Sequence, residues 1–318
     1  MLKILNINQH TPYSYLLAKT GNMFYMFGEW DVSERPISEN IRIVSGKDIP
    51  HILKEIDVVI GHKINSDICR FALNRIRFRL PYIQIIHGSK YTTGFSVAKS
   101  KILLKHFYAL TILNILKRLD LINIVFNSHY DMNTWPINGH LIRFGISLEE
   151  MYLYKGETES VLVVGNSLNR KHFDFKSLLI LKNRLSLYIV GDTPNFEDSF
   201  QANSWKQLRN YYSEFRVLLN LAGNPERGYN LSMLEAMASG MPVVSVYHPN
   251  SPIQDGWSGF LVKDVYEMEK KCRVLLEDHS LARQMGANAR ETVKRHFSID
   301  KFTRRWNSFL TSVVERNI

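Results

Sequence analysis

Short runs rich in isoleucine and valine, apolar on both faces, alternate along this chain with stretches of helical periodicity. That alternation narrows the possible folds more than any other feature. The runs lie at 3–8, 57–61, 82–87, 122–127, 161–165, 186–191, 217–221 and 242–246. Helical patterns cover 14–20, 48–56, 66–79, 97–119, 175–184, 205–214, 231–239, 265–276 and 280–295. A strand without a polar face must be covered on both sides, which suits parallel strands joined by helical crossovers. The order predicts an α/β fold of doubly wound sheets.

The alternation starts twice. One set runs to about Ser147, the polar stretch MYLYKGETES follows, and a second set opens on VLVVGNS at Val161. Two Rossmann-like domains joined near 150–159 are expected, and 318 residues suffice for two cores of ordinary size. The expected division is 1–153, 154–296 and a C-terminal segment 297–318. In open sheets of this kind ligands bind beyond the carboxyl ends of the strands, so a cleft between two such sheets is the expected site. No G-x-G-x-x-G follows the first strand, which argues against a dinucleotide site.

Composition excludes several classes. No apolar run reaches the roughly 18 residues that span a bilayer. The N-terminus, MLKILNINQH, lacks the cleavage pattern of a signal peptide. Hydrophobic residues make up 45% and charged residues 22%, as in a soluble globular protein. Cys69 and Cys272 are too far apart to read as a disulfide framework or a metal-ligand spacing. Two ordinary buried thiols and a reducing cytoplasm are expected.

Most of the chemistry sits in NPERGYNLSMLEAMASGMPVVS. Leu231, Leu234, Met237 and Ala238 form an apolar helical face. Asn230 is placed to cap the helix, Gly228 gives the turn before it, and Gly240 with Pro242 ends it. A helix start offers free N–H groups and the positive end of the dipole, so Asn230, Leu231 and Ser232 can hold a phosphate. Glu235, one turn in, can accept two hydrogen bonds from a vicinal diol, which suggests ribose hydroxyls beside that phosphate. A second loop, GNSLNRKHFDF, follows the strand at 161–165. Gly165 permits a tight turn there, and Arg170 and Lys171 put two cations just past the strand end. Fixed cations would stabilise a diphosphate leaving group as its bond to a sugar breaks. No Asp-x-Asp pair for Mg²⁺ is present, so metal-independent chemistry is expected.

These residues resemble the signature of the retaining, nucleotide-sugar-dependent glycosyltransferases of the GT-B fold, the group 1 glycosyl transferases. ERGYNLSMLEAMASGMPVVS is similar to that signature, DGWSGFLVKD to the family's D-G-x-x-G-x-L-V element, and LLEDHSLARQMGANARETVKRHFS to its closing helices. GNSLNRK matches its glycine-loop-to-lysine spacing, with Lys171 at the phosphate-binding position. YIVGDTP resembles its V-G-x-G-P strand end, with Thr193 in place of the second glycine. The likeness is specific over 161–298 and weaker before it, where LPYIQIIHG resembles a strand ending in a histidine and GHLIRFGIS the run into the linker.

The resemblance implies GT-B architecture: two Rossmann-like domains facing a central cleft, donor nucleotide in the second and acceptor mainly on the first. It implies a final helix, 299–314, crossing back to the first domain on Trp306 and Phe309. It places ribose at Glu235, phosphate and donor sugar at the backbone of Tyr229, Asn230, Leu231 and Ser232, and the diphosphate at Arg170 and Lys171 in the loop that Gly165 and Asn166 open. His87 would contact the transferred sugar. Front-face attack assisted by the leaving diphosphate would give retention. No cofactor is expected, and a UDP-sugar is favoured over a GDP-sugar as donor.

The sequence departs from the family pattern in three places. The family's two glutamates usually stand eight apart; eight before Glu235 is Arg227, and Glu226 is one place earlier. Either Glu226 still reaches the donor sugar or Arg227 has taken its place, and an arginine cannot accept a hydroxyl's hydrogen bond. Asn166 stands where an arginine is usual, and Arg170 supplies a charge four residues on. HTPYSY replaces a glycine pair after the first strand, so Tyr13 or Ser14 is expected to shape the acceptor pocket. Two alternatives stay open: a non-catalytic GT-B subunit that binds nucleotide or a partner enzyme, and a sugar-nucleotide epimerase, for which only His87 is well placed.

The formal net charge is +10, and from Arg70 to Arg118 stand ten Lys/Arg and no Asp or Glu. Such a block favours an anionic partner. Within it, VAKSKILLKHFYALTILNILKRL sets Lys101 and Lys105 among bulky apolar residues. Such a helix can lie in an anionic membrane interface, or it can be a core helix whose cations complement its dipole. By resemblance, the expectation is a cytoplasmic protein, peripheral at the inner face of the membrane, with a lipid-linked or cell-envelope glycan as acceptor. A transferase glucosylating modified DNA would also use the charge, although no nucleic-acid motif accompanies it.

Overall fold

The computed structural model describes residues 1–7, 10–62, 80–88, 111, 113–170, 173–223 and 228–316. The chain forms two compact units, Met1–Gly145 with Asp300–Ile318, and Ile146–Ile299. The division therefore falls earlier than 153/154 and later than 296/297. Hydrogen bonds explain the shift. The N–H of Ile146 donates to the carbonyl of Phe297 at 2.7 Å, and that of Tyr154 to the carbonyl of Ser239 at 2.9 Å. Most of the polar stretch read as a linker is thus strapped onto the second unit.

In the first unit, β1 (Lys3–Ile7), β2 (Met23–Phe27), β3 (Ile41–Val44), β4 (Val58–Gly61), β5 (Tyr82–Ile86), β6 (Asn123–Phe126) and β7 (His140–Leu141) form one sheet in the order β3-β2-β1-β4-β5-β6-β7. Every pairing is parallel. β4, β5 and β6 are buried at each residue, as their two apolar faces require. β2 and β3 were not expected. MFYMF contains neither isoleucine nor valine, and IRIV lies at the sheet edge with Arg42 and Ile43 exposed.

Helix α1 (Thr11–Ala18) begins three residues before the expected start at 14, because His10 Nδ1 accepts from the Tyr13 N–H at 3.3 Å and Pro12 occupies the first turn. The expected helix at 48–56 shrinks to α2 (Ile49–Ile52), and α3 (His129–Thr134), capped by Ser128, was not foreseen. The expected helix at 66–79 lies outside the described residues, as does most of 97–119, of which 113–118 are helical.

In the second unit, β8 (Thr158–Val164), β9 (Leu187–Val190), β10 (Ser199–Phe200), β11 (Phe215–Asn220), β12 (Val243–Val246) and β13 (Phe260–Val262) form a parallel sheet in the order β10-β9-β8-β11-β12-β13. The helices are α4 (Phe175–Lys182), α5 (Trp205–Glu214), α6 (Leu231–Ser239), α7 (Val265–Glu277) and α8 (His279–His296). Asp174, Ser204, Asn230, Asp264 and Asp278 cap them in turn, each side chain accepting from a first-turn N–H. Val163, Leu178, Val217, Val244 and Met268 belong to the core between sheet and helices. Cys272 is buried in that core, and burial pushes its thiol up to about 12. Cys69 lies outside the described residues.

The last helix, α9 (Ile299–Glu315), runs into the first unit. Phe302, Trp306, Phe309, Leu310 and Val313 are its buried face. Asn307 accepts from Asn22 Nδ2 at 2.9 Å and donates to the Thr20 carbonyl at 3.1 Å. The Phe309 ring lies 4.5 Å from that of His140. Among the described residues no helix is long and apolar enough to cross a membrane.

Candidate functional site

The second sheet reverses its winding between β8 and β11, so the crevice outside their carboxyl ends is the natural ligand position. Helix α6 starts there. Asn230 Oδ1 accepts from the Met233 N–H at 2.8 Å and from Ser232 Oγ at 2.9 Å. Its amide nitrogen donates to Asn220 Oδ1 at 3.0 Å, and Asn220 donates onward to Ser245 Oγ at 2.9 Å. Ser232 Oγ also lies 3.4 Å from the Val164 carbonyl at the end of β8. The asparagine bonds tie the helix start to β11 and β12, and Ser232 sets it beside the end of β8. The N–H groups of Leu231 and Ser232 stand at positions where a helix has no internal acceptor, and they suit an anion.

The other side of the crevice is the loop after β8. The Gly165 N–H donates to the Val190 carbonyl at 2.9 Å, and Asn166 Oδ1 accepts from the Asp192 N–H at 2.9 Å. Thr193 Oγ1 accepts from the Leu168 N–H at 3.2 Å. Gly191 has φ 137°, and a Cβ on it would meet the Gly165 carbonyl oxygen at 2.2 Å. No other residue fits that crossing. Asn166 thus binds two loops together, and Thr193 uses its hydroxyl as a loop strut. Arg170 is exposed at the end of this loop. Lys171, Glu226 and Arg227 lie outside the described residues.

Glu235 is only 4% exposed, and the Tyr212 hydroxyl donates to its Oε2 at 3.1 Å. A diol reaching this carboxylate would share it with that hydroxyl. Tyr229 is buried with its ring edge-on to Phe297, 5.1 Å away, so this residue offers a ligand its backbone rather than its ring. Gly228 turns with φ 85°, and a Cβ there would meet His248 Nδ1 at 2.3 Å. Tyr212, Asn220 and His248 were not foreseen. Their signal is positional only: Asn220 ends a buried strand, and His248 follows one.

In the first unit the winding reverses between β1 and β4. Two histidines follow neighbouring strands there: His62 after β4 and His87 after β5. His62 Nδ1 is 2.7 Å from His87 Nε2, and His62 Nε2 is 2.8 Å from Asn6 Oδ1 on β1. The two rings are within 6° of parallel, with centroids 5.0 Å apart. Tyr13 meets both rings edge-on, at 5.7 and 4.8 Å, and its hydroxyl accepts from Asn127 Nδ2 at 3.0 Å. Burial drives the pKa of His62 down to about 3, with a smaller contribution from the neighbouring His10. His87 is half-buried, whereas Tyr13 and Ser14 are buried. Tyr13 packs against both rings, and Ser14 accepts from Asn6, the residue that bonds His62. His62 was missed, although it follows VVIG as His87 follows YIQII.

Among the described residues no group of three or more His, Cys, Asp or Glu is placed to hold a metal ion.

Residues 159–278 match the protein family described as "Glycosyl transferases group 1". Trehalose synthase from Thermococcus litoralis is 41% identical over 87 residues, 27% of this chain and 21% of that protein. N-acetyl-alpha-D-glucosaminyl L-malate synthase from Bacillus anthracis is 30% identical over 148 residues, 40% of this chain and 38% of that protein. The chain thus matches about a fifth to two fifths of the length of these relatives. The crystal structure of Anabaena HepE in complex with UDP-glucose has a TM-score of 0.73 at 13% identity, covering 98% of this chain and 100% of that one. The fold is therefore the GT-B type: α/β, with two parallel sheets flanked by helices.

Proposed function

We propose that this chain is a glycosyltransferase that moves a sugar from a nucleoside diphosphate donor to an acceptor hydroxyl. The observation that carries the reading is the position of α6. Its Asn230-capped start lies at the switch point of the second sheet, inside the stretch that matches the group 1 family. The donor diphosphate would lie on the N–H groups of Leu231 and Ser232. Arg170 and Lys171 would oppose the charge that grows as the bond to the sugar breaks. Glu235 would take the ribose hydroxyls, Glu226 the donor sugar, and His87 the sugar being transferred. The acceptor hydroxyl would attack from the side that the diphosphate leaves, and a diphosphate oxygen would take its proton. That path retains configuration and requires no metal. The UDP-glucose complex of HepE supports a UDP-sugar as donor.

Screening the purified chain against UDP-, GDP- and ADP-sugars tests this. A ligand at 100 times its Kd stabilises by about 2.7 kcal/mol, enough to move a melting curve. One UDP-sugar should raise Tm, its turnover should persist in EDTA, and Glu235→Ala should abolish the shift. No shift with any donor rejects the reading, and a shift without turnover favours the non-catalytic subunit. A lipid-linked or envelope-glycan acceptor belongs to the same proposal. Ile115 (50% exposed) and Leu119 (62% exposed) beside Lys117 and Arg118 support contact with an anionic membrane. Co-sedimentation equal on anionic and neutral liposomes would remove that part.

A further inference from the structure

We propose that His62 is a positioning residue: held by Asn6, it fixes His87 as the tautomer protonated on Nε2. The importance of that tautomer for turnover rests on the glycosyltransferase reading, whereas the tautomer itself does not. The chain of argument starts at Met26. Its thioether sulfur can only accept, and it lies 3.2 Å from Asn6 Nδ2. Ser14 Oγ accepts from the same nitrogen at 3.0 Å. The amide of Asn6 therefore cannot be flipped, and its oxygen must face His62. A carbonyl oxygen needs a donor, so His62 Nε2 carries the proton. A neutral imidazole carries one, so Nδ1 is bare. His87 Nε2, 2.7 Å away, must donate to it.

Ring geometry agrees. The centroid separation of 5.0 Å is what a 2.7 Å bond plus two ring radii gives when the rings lie edge to edge in one plane. N–H and lone pair then point at each other. A face-to-face stack would not bring these nitrogens so close in that plane. Burial keeps His62 neutral at pH 7, so the bond does not reverse direction. His10 from the start of α1 and Tyr13 from α1 also face the pair. With Nε2 engaged as a donor, His87 Nδ1 is the nitrogen whose hydrogen-bonding role changes with the charge of the ring. That nitrogen accepts while His87 is neutral and donates when it is charged. Asn6 and His62 thereby hold a ring at the end of β5 in one plane and one tautomer.

The test is imidazole ¹⁵N NMR on the full chain, with signals assigned through His87→Asn. Wild type should show neutral His87 protonated on Nε2. His62→Phe, which removes the acceptor, should mix the tautomers. His62→Asn, whose Oδ1 can occupy the place of Nδ1, should restore the wild-type form. Asn6→Leu gives a second way to release His62 should His62→Phe fail to fold. With the donor found above, His62→Phe should lower kcat by about tenfold or more, with KM for the donor changed less, and His62→Asn should recover most of it. Neutral His87 protonated on Nδ1 in wild type overturns the proposal. So does an unchanged tautomer in His62→Phe and Asn6→Leu, or equal kcat for His62→Phe and His62→Asn. If the NMR behaves as expected and no nucleotide sugar is turned over, the glycosyltransferase reading falls and the tautomer assignment stands.

Discussion

Buried ionisable side chains carry most of the specific chemistry at the residue scale, and His62 gives the sharpest consequence. Its folded-state pKa lies at about 3, far below the ordinary value of 6.5. The unfolded chain therefore takes up a proton near pH 6.5 that the folded chain refuses until about pH 3. A depressed histidine makes stability fall as pH drops through that window. Between pH 7 and pH 5 the loss from this one group should be about 2 kcal/mol. Urea unfolding of wild type and His62→Asn at both pH values isolates it: the variant should lose that share of the pH dependence. Equal dependence in both would contradict the burial of a neutral ring. The sequence showed His87 because a strand pattern runs straight into it and the family resemblance supplies its role. Asn6 and His62 were not legible as a pair. Their partners lie 8, 20, 25 and 56 residues away, and no local pattern announces such a network.

At the scale of elements, helix starts were the best-read features. A cap is a local event: one side chain, one N–H and three residues of sequence, all visible in NLSM. The bounds of α5 and α6 follow from Ser204, Asn230 and Gly240, which has φ 92°. β2 and β3 were not legible because membership depends on which strand lies alongside, not on their own composition. Asn230 separates two roles by experiment. Asn230→Ala should cost about 1–2 kcal/mol through the lost cap. Asn230→Asp keeps an acceptor for the Met233 N–H, so it should cost less. It also loses the amide that donates to Asn220 and sets a negative charge where a phosphate would sit. Its affinity for UDP should fall about tenfold or more, since 1.4 kcal/mol already corresponds to a factor of ten. Calorimetric titration with UDP beside denaturant unfolding checks both. Affinity preserved in Asn230→Asp would move the anion away from α6.

On the scale of the whole molecule, each unit has its own sheet, but only the second is continuous in sequence. The first unit's core includes Trp306, which is fully buried with Phe302 and Phe309 as ring neighbours. Trp306→Ala should cost about 3–5 kcal/mol. Hydrogen exchange read segment by segment should show faster exchange in β1, β2 and β6 while β8, β11 and β12 keep their protection. Loss spread evenly over both units would place α9 in a shared core instead. Two Rossmann-like units were legible because parallel strands repeat their signal eight times. The strap was not, since MYLYKGETES has no periodicity and is held by backbone bonds from 154–156 and by the Tyr154 and Lys155 side chains. The return of α9 to the first unit also sets an order in time. A ribosome releases 1–145 long before Trp306 exists, so the N-terminal sheet waits with an unfinished core while 146–299 emerges and can close. What is made first is completed last, and until Trp306 emerges the apolar surface that it covers stays open.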